Sequence, residues 1–122
     1  MNQTKSKLLE EHYLDLETYG RKTGKPHTVE LSFYSRDKKI YLLAHKRDKD
    51  LGTDWYFNLK ANPDCEIEIK DQKFKCRASS LEENTETEDF IRESFIKKFG
   101  QEYYKSWYER TKRIPVVLEV LE

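Results

Sequence analysis

Cysteine, glycine and proline are scarce in this sequence, and long apolar runs are missing. Its 122 residues include two cysteines, four glycines and three prolines. The cysteines lack the CxxC spacing of a zinc site and the three histidines are scattered, so no metal site is predicted. The longest apolar runs, such as residues 40–44, are far too short to span a bilayer, so the sequence predicts no transmembrane segment.

A secretory signal is also missing, because no apolar stretch followed by small residues occurs near the amino terminus. Few cysteines suit a reducing compartment, and both observations predict a cytoplasmic protein. Neither sign of charge is in excess, since 23 Lys and Arg balance 23 Asp and Glu, although 38% of the residues are charged. A nucleic-acid-binding protein would present a net basic face, so no nucleic-acid partner is expected.

What the sequence does contain is a series of strand patterns. Apolar and polar residues alternate along several short segments, with polar turns between them. A chain of this length forms one domain, residues 1–122, and buries about two thirds of its unfolded surface. The nearly continuous apolar segment 40–45 is expected in the middle of the sheet. The six predicted strands cover residues 14–19, 29–34, 40–45, 65–70, 73–78 and 114–121.

The segment CEIEIKDQKFKCRA, residues 65–78, predicts a hairpin with a two-residue turn at Asp71 and Gln72. In that register the two cysteines lie diagonally on the apolar face, which favours small buried hydrophobic residues over a disulfide or a metal site. The other face pairs opposite charges. The expected cross-strand pairs are Ile69 with Phe74, Ile67 with Cys76, Cys65 with Ala78, Glu68 with Lys75 and Glu66 with Arg77.

Helical patterns lie between and after the strands. Asp54 can cap a short helix, residues 55–61, which Pro63 ends. A second helix carries an apolar stripe and ends at Gly100, and a third stretch covers residues 101–113. An amino-terminal helix is expected to pack against the domain, with contact to a membrane surface as the alternative. The stripe consists of Phe90, Ile91, Phe95 and Phe99, and the amino-terminal helix of Leu8, Leu9, His12 and Tyr13.

Together these patterns predict a mainly β (α+β) fold. Strands outnumber helices and neighbouring strands form hairpins, so a six-stranded antiparallel sheet closed into a small barrel with flanking helices is expected. Closure of the sheet hides its edges.

The first candidate site is the loop GRKTGKPH, residues 20–27. Gly20 and Gly24 can adopt positive φ, which lets backbone N–H groups converge, while the basic side chains add positive charge. The same residues are common in solvated hairpin tips, and local chemistry alone favours that interpretation. The loop lacks the spacing and the following helix of a P-loop, so nucleotide hydrolysis is not predicted.

Two aromatic segments are further candidates. Trp55 can face a planar ligand or lie in the core, and the core is the commoner role for such a residue. Tyr104, Trp107 and Tyr108 share one helix face, where they can wall a pocket and supply a proton, or pack as ordinary core residues. No GxSxG elbow and no cysteine beside a histidine base occur, so a bound cofactor is expected to carry any chemistry.

Four blocks follow one another along the chain: LETYGRKTGKPHTVELSFY, IYLLAHK, DWYFNLKANPDCEIEI and YYKSWYERTKRIPVVLEV. Over residues 14–120 they resemble the deazaflavin (coenzyme F420)-dependent nitroreductase family, the quinone and nitro reductases among the split β-barrel, pyridoxamine-phosphate-oxidase-like flavoproteins. The resemblance implies a split barrel whose first hairpin loop holds the phosphate and acidic tail of the cofactor.

The resemblance also implies roles for individual residues. His27 stands where the family commonly has arginine, and Gln101 stands where a second pocket tyrosine is expected. Tyr104 matches a tyrosine of the substrate pocket, and Tyr104, Tyr108 or solvent would protonate the product. The implied cofactor contacts are Arg21, Lys22, Thr23, Gly24, Lys25 and His27 in the loop, Ala44, His45 and Lys46 at the end of a strand, and Trp55, Tyr56 and Asn58 on the short helix.

The activity implied by the resemblance is hydride transfer from reduced F420 to a small electron acceptor such as a quinone, a nitroarene or an activated alkene. An FMN-dependent reductase or oxidase on the same barrel, a non-catalytic F420 carrier and a barrel that acts only as an interaction module are the alternatives. The sequence leaves open whether the protein forms a homodimer.

Overall fold

The computed structural model describes residues 11–45, 54–81, 85–100 and 113–121. The predicted third helical stretch and most of the predicted amino-terminal helix lie outside the described residues, as do Lys46, Tyr104 and Tyr108. Tyr13, which the sequence pattern placed in the amino-terminal helix, instead begins the first strand. Neither described helix has the length and hydropathy needed to cross a bilayer.

Seven strands of the described chain form one antiparallel sheet with the order β2-β1-β5-β6-β7-β4-β3. Within the described residues two helices are inserted, α1 between β4 and β5 and α2 between β6 and β7. The strands are β1 (Tyr13–Tyr19), β2 (Pro26–Ser32), β3 (Tyr34–Arg36), β4 (Lys39–His45), β5 (Asp64–Ile69), β6 (Gln72–Ser80) and β7 (Arg113–Val120), and the helices are α1 (Asp54–Ala61) and α2 (Thr85–Phe99).

The additional strand arises at Phe33, where the predicted strand 29–34 divides into β2 and β3. These two strands form opposite edges of the sheet, yet only Phe33 separates them along the chain. The edges therefore lie close together, and the sheet curls into the predicted split barrel with seven strands rather than six. We call this junction of β2 and β3 at Phe33 the seam, and the side chain of Phe33 is 0% exposed there.

Lys98 of α2 ties the helix to the seam. Its ammonium group donates to the carbonyl of Phe33 at 2.7 Å and to the carbonyl of Glu11 at 2.6 Å. The same nitrogen lies 4.0 Å from the centroid of the Phe33 ring. Burial lowers the pKa of Lys98 to about 8, which the Glu11 carboxylate partly opposes. The carbonyl and the ring of Phe33 both contact the Lys98 ammonium group, so Lys98 holds α2 against the residue that joins the two edge strands.

Strand β4 lies next to the edge strand β3 and not in the middle of the sheet, so that expectation was wrong. Its apolar run has a different cause, namely burial of both faces. Leu42 faces the barrel core, while Leu43 packs with Ile91 and Phe95 of α2. The stripe on α2 is thus confirmed, and Gly100 follows the helix with a φ of 96°.

The β5–β6 hairpin forms, but its register differs from the predicted one by two residues. The turn is made by Lys70 and Asp71, with φ values of 48° and 66°. Positive φ at both central residues gives a turn whose twist matches that of paired strands, which explains the choice. A shift of two residues leaves each side chain on its predicted face. The observed pairs include Cys65 with Cys76, Ile67 with Phe74, Glu66 with Lys75 and Glu68 with Lys73.

The two cysteines are therefore directly opposite each other and not diagonal. Both are buried, as predicted, and both are free thiols. Burial is the main cause that raises the pKa of each thiol to about 12.

We expect neither cysteine of the native protein to react with iodoacetamide between pH 7 and pH 10, because the thiolate is the reactive form. In the urea-unfolded chain the thiols regain their usual pKa of about 8.5, so labelling should accelerate as the pH rises through that value. Mass spectrometry of time points from both states measures the difference. Rapid labelling of the native protein at pH 8 would contradict the burial of this pair.

Candidate functional site

The turn between β1 and β2 is closed by its own backbone. The N–H of Gly20 donates to the carbonyl of Lys25 at 2.8 Å, and the N–H of Gly24 donates to the carbonyl of Gly20 at 2.7 Å. Gly24 has a φ of 75°, a conformation that glycine adopts without steric cost. The N–H of Lys25 donates to Thr23 Oγ1 at 3.3 Å. These contacts hold the backbone of the basic segment in one shape, although residues 21–27 are exposed.

Gly20 does not have the positive φ that the sequence suggested, but its surroundings are closely packed. A Cβ atom there would lie 3.1 Å from Thr23 Oγ1 and 3.2 Å from His27 Nε2. His27 belongs to β2 rather than to the loop, since the strand begins at Pro26. The side chains of Thr23 and His27 therefore converge above Gly20.

Asn58 on α1 connects the turn to the helix and to β1. Its Oδ1 accepts from the backbone N–H of Arg21 at 3.2 Å and from Arg21 Nη1 at 3.1 Å. Its Nδ2 donates to Thr18 Oγ1 at 3.2 Å. Asn58 is 2% exposed and Thr18 is 0% exposed, so both polar groups need these partners. One buried amide thus sets the position of the arginine backbone and of its guanidinium group.

The guanidinium group of Arg21 also contacts Asp54 and Phe57. Asp54 Oδ1 lies 3.4 Å from Nη2 and 3.5 Å from Nη1. The guanidinium carbon lies 5.6 Å from the centroid of the Phe57 ring. The arginine is therefore oriented by an amide, a carboxylate and an aromatic ring, all supplied by one face of α1.

Arg21, Asp54 and Asn58 border a cavity of about 370 Å³ between the turn, β1, β2 and α1. This volume lies in the range of small-molecule sites. The structure brings six of the predicted cofactor contacts together at this cavity: Arg21, Lys22, Thr23, His27, Trp55 and Asn58.

The chemistry of the cavity wall suits an anion. Lys22 and Arg21 supply positive charge, and within the described chain the backbone N–H groups of Lys22 and Thr23 donate to no protein acceptor. Unpaired backbone N–H groups in a turn, next to cations, can bind a phosphate group. The donor set therefore fits the phosphate or carboxylate part of a larger ligand.

Other predicted contacts do not line this cavity. Gly24 and Lys25 belong to the turn but are not among the residues that line the cavity, and Ala44 is fully buried in the barrel core. Tyr56 is buried, and its hydroxyl donates to the carbonyl of Leu81 at 2.6 Å. His45 ends β4 opposite Arg113. Lys46 and both candidate tyrosines lie outside the described residues.

Several residues that line the cavity were not among the predicted contacts. Thr18 continues the inward alternation of Leu14 and Leu16, and a hydroxyl at a core-facing position was the available signal. Asp54 was considered only as a helix cap. These additional lining residues are Thr18, Thr28, Val29 and Asp54, together with Gly20 of the candidate loop.

Comparisons with known proteins identify the family. The family model for F420H2-dependent quinone reductases matches residues 2–121. An F420H2-dependent quinone reductase of Mycobacterium tuberculosis is 35% identical over 106 residues, which cover 84% of this chain and 69% of that protein.

Solved structures agree on the fold. One described as an F420 reductase superposes with a TM-score of 0.72 at 17% identity, covering 100% of this chain and 97% of that one. HutZ, a heme storage protein from Vibrio cholerae, superposes with a TM-score of 0.71 at 18% identity, covering 98% and 89%. At these identities the likeness shows the split-barrel fold alone. The family model and the mycobacterial relative carry the assignment further: the chain belongs to the F420H2-dependent quinone reductase family of oxidoreductases, and coenzyme F420 is its cofactor.

Proposed function

We propose that this protein reduces a quinone with F420H2 and that the β1–β2 turn binds the anionic part of the cofactor. The observation that carries this proposal is the pair of hydrogen bonds from Arg21 to Asn58, which hold the guanidinium group in place. This cation lines the cavity together with Lys22, and the backbone N–H groups of Lys22 and Thr23 have no acceptor among the described residues. When bound, the reduced deazaflavin supplies a hydride to the acceptor. A quinone is favoured over a nitroarene or an activated alkene because the matching family is named for quinone reduction.

The residues around the turn have separable tasks. Lys22 is exposed and contributes charge, whereas Arg21 is held so that little side-chain freedom is lost when an anion binds. Thr23 and His27 flank the backbone where Gly20 leaves room. Hydrogen bonds from charged donors to a phosphate are short and about twice as strong as neutral ones, so such a cluster can anchor a ligand by one end.

Trp55 has a position that is compatible with both roles that its sequence context suggested. It is 5% exposed and belongs to the core, yet it also lines the cavity. We assign it to the apolar wall next to the anion site, where it excludes water from the organic part of the cofactor. Ala44, His45 and Lys46 stay proposed contacts at the end of β4, and Tyr104 or Tyr108 stays the proposed proton donor. Tyr56 supports α1 through its bond to Leu81.

The variant Arg21→Ala/Lys22→Ala is expected to weaken F420 binding more than tenfold, because hydrogen bonds to charged groups contribute about 1.5–3 kcal/mol each. Titration of the purified apoprotein with F420, followed by fluorescence, measures the dissociation constant. The matched control is Arg36→Ala/Lys38→Ala, which removes two exposed cations from the β3–β4 hairpin. Equal losses of affinity for F420 in both variants would mean that the first turn is an ordinary solvated hairpin tip.

The same purified protein, tested with FMN and with F420H2, distinguishes the alternative functions. Tight FMN binding without a response to F420 would favour an FMN enzyme on this barrel. Binding of F420H2 without its oxidation on addition of menadione would favour a carrier protein. An interaction module would bind neither cofactor.

A further inference from the structure

Asp54 is the one acidic residue among the described residues that line the cavity around Arg21 and Lys22. We propose that Asp54 competes with the anionic part of the cofactor for Arg21, and that it thereby limits how tightly the cofactor is held. This inference rests on the proposed role of the turn. It gives a function in ligand exchange to a residue that the sequence pattern explains only as a helix cap.

Asn58 and Asp54, which both contact Arg21, differ in permanence. Asn58 is buried and its bonds to Arg21 measure 3.1 and 3.2 Å. Asp54 has a side chain that is 70% exposed, and its contacts measure 3.4 and 3.5 Å. Strong bonds between a guanidinium group and a carboxylate are typically about 2.7–2.9 Å long, so the Asp54 pair is loose. Asp54 can leave while Asn58 still holds the arginine in place.

The carboxylate of Asp54 contacts Arg21 where an anionic group of the ligand would be expected to bind. Asp54 lines the same cavity as Lys22 and Thr23 of the turn, and its carboxylate contacts the guanidinium group of Arg21 at Nη1 and Nη2. An anion entering the cavity has to displace this carboxylate from Arg21 or share the cation with it. Either event reduces the net gain from the arginine.

A residue that weakens cofactor binding in this way suits a redox cofactor that has to be exchanged in every turnover. The oxidised cofactor has to leave before another reduced molecule enters, and differences in affinity within one site arise mostly from the dissociation rate. A site with two cations and no opposing carboxylate would release its ligand more slowly. Asp54 therefore keeps binding reversible on the timescale of turnover.

The variant Asp54→Asn tests the proposal, because asparagine keeps the capping ability of aspartate and loses its charge. We expect the dissociation constant for F420 to fall about two- to fivefold at 50 mM salt, in line with the loss of one exposed ion pair. The dissociation rate, measured by stopped-flow displacement, should fall by a similar factor. At higher salt the difference should shrink, since screening weakens exposed charges.

Asp64→Asn is the matched control. Asp64 is 67% exposed and forms a similarly loose pair with Arg77 at 3.9 Å, away from the cavity. This variant should bind F420 like the wild type. A thermal melt of each variant shows whether the fold is retained.

The variant Arg21→Ala/Asp54→Asn decides the mechanism. If the two residues compete for one anion site, the gain from Asp54→Asn disappears when Arg21 is alanine. A gain that persists would indicate simple repulsion and would overturn the proposal, as would unchanged or weaker binding by Asp54→Asn alone. In those cases a tenfold loss in Arg21→Ala/Lys22→Ala would still support the turn as the cofactor site, whereas no binding of F420 by the wild type would overturn both.

Discussion

Replacing Phe33 with alanine is expected to lower the free energy of unfolding by about 3–5 kcal/mol, the range for large-to-small changes at buried aromatic residues. Phe33 is 0% exposed and lies where β2 passes into β3. Alanine preserves the backbone bonds, in which the N–H of Phe33 donates to the carbonyl of His12 and its carbonyl accepts from Lys98. The loss therefore reports the side chain, including its contact with the Lys98 cation. Urea denaturation followed by circular dichroism measures it.

Phe90→Ala provides the comparison for this result. Phe90 lies on α2, is only partly buried and packs in the smaller cluster with Leu43 and Ile91. Because less apolar surface is withdrawn from water, a smaller loss of about 1–2 kcal/mol is expected. If Phe33→Ala proved no more harmful than Phe90→Ala, closure of the barrel at this seam would not depend on the ring. A whole domain of this size is stable by only about 6–18 kcal/mol, so the expected loss is a large fraction.

Asn58→Ala is expected to weaken F420 binding about tenfold and to lower the free energy of unfolding by about 1–3 kcal/mol. The loss of stability follows from leaving the buried Thr18 hydroxyl and the N–H of Arg21 without their partner. The loss of affinity follows from releasing the guanidinium group, which then has to be ordered by the ligand. Fluorescence titration and urea denaturation measure the two effects separately.

Asn62→Ala is the control for this change. Asn62 is an amide just past the end of α1, and its Oδ1 accepts from the N–H of Asp64 at 3.1 Å, away from the cavity. This variant should bind F420 normally. In an Arg21→Ala background, Asn58→Ala should cost little further affinity if it acts by holding Arg21. Full additivity of the two losses would instead mean that Asn58 contacts the cofactor itself.

Much of the fold could be read from local patterns. Alternation predicted β1, and the apolar stripe with Gly100 predicted α2, because burial of one face imposes a period that a sequence displays directly. The β5–β6 hairpin was predicted with the wrong register. Both registers bury the same side chains, and the choice depended on the backbone conformation of Lys70 and Asp71. Patterns of hydrophobicity contain no information about that choice.

The division of the predicted strand 29–34 at Phe33 could not be predicted from the local sequence pattern, for a different reason. Residues 29–34 alternate without interruption, so nothing in them marks the passage from one edge of the sheet to the other. The interruption is a property of barrel closure. It becomes visible only when β2 and β3 are found at opposite ends of the strand order.

The sequence by itself determined the chemical content of the candidate site. GRKTGKPH supplied the cations and glycines, and its place among four blocks in a fixed order indicated the family. Only the tertiary structure decided how that content is arranged. Asn58 reaches Arg21 across 37 positions and Thr18 across 40, and Asp54 reaches Arg21 across 33. Hydrogen bonds over such separations arise from the packing of α1 against β1, and packing depends on the whole barrel.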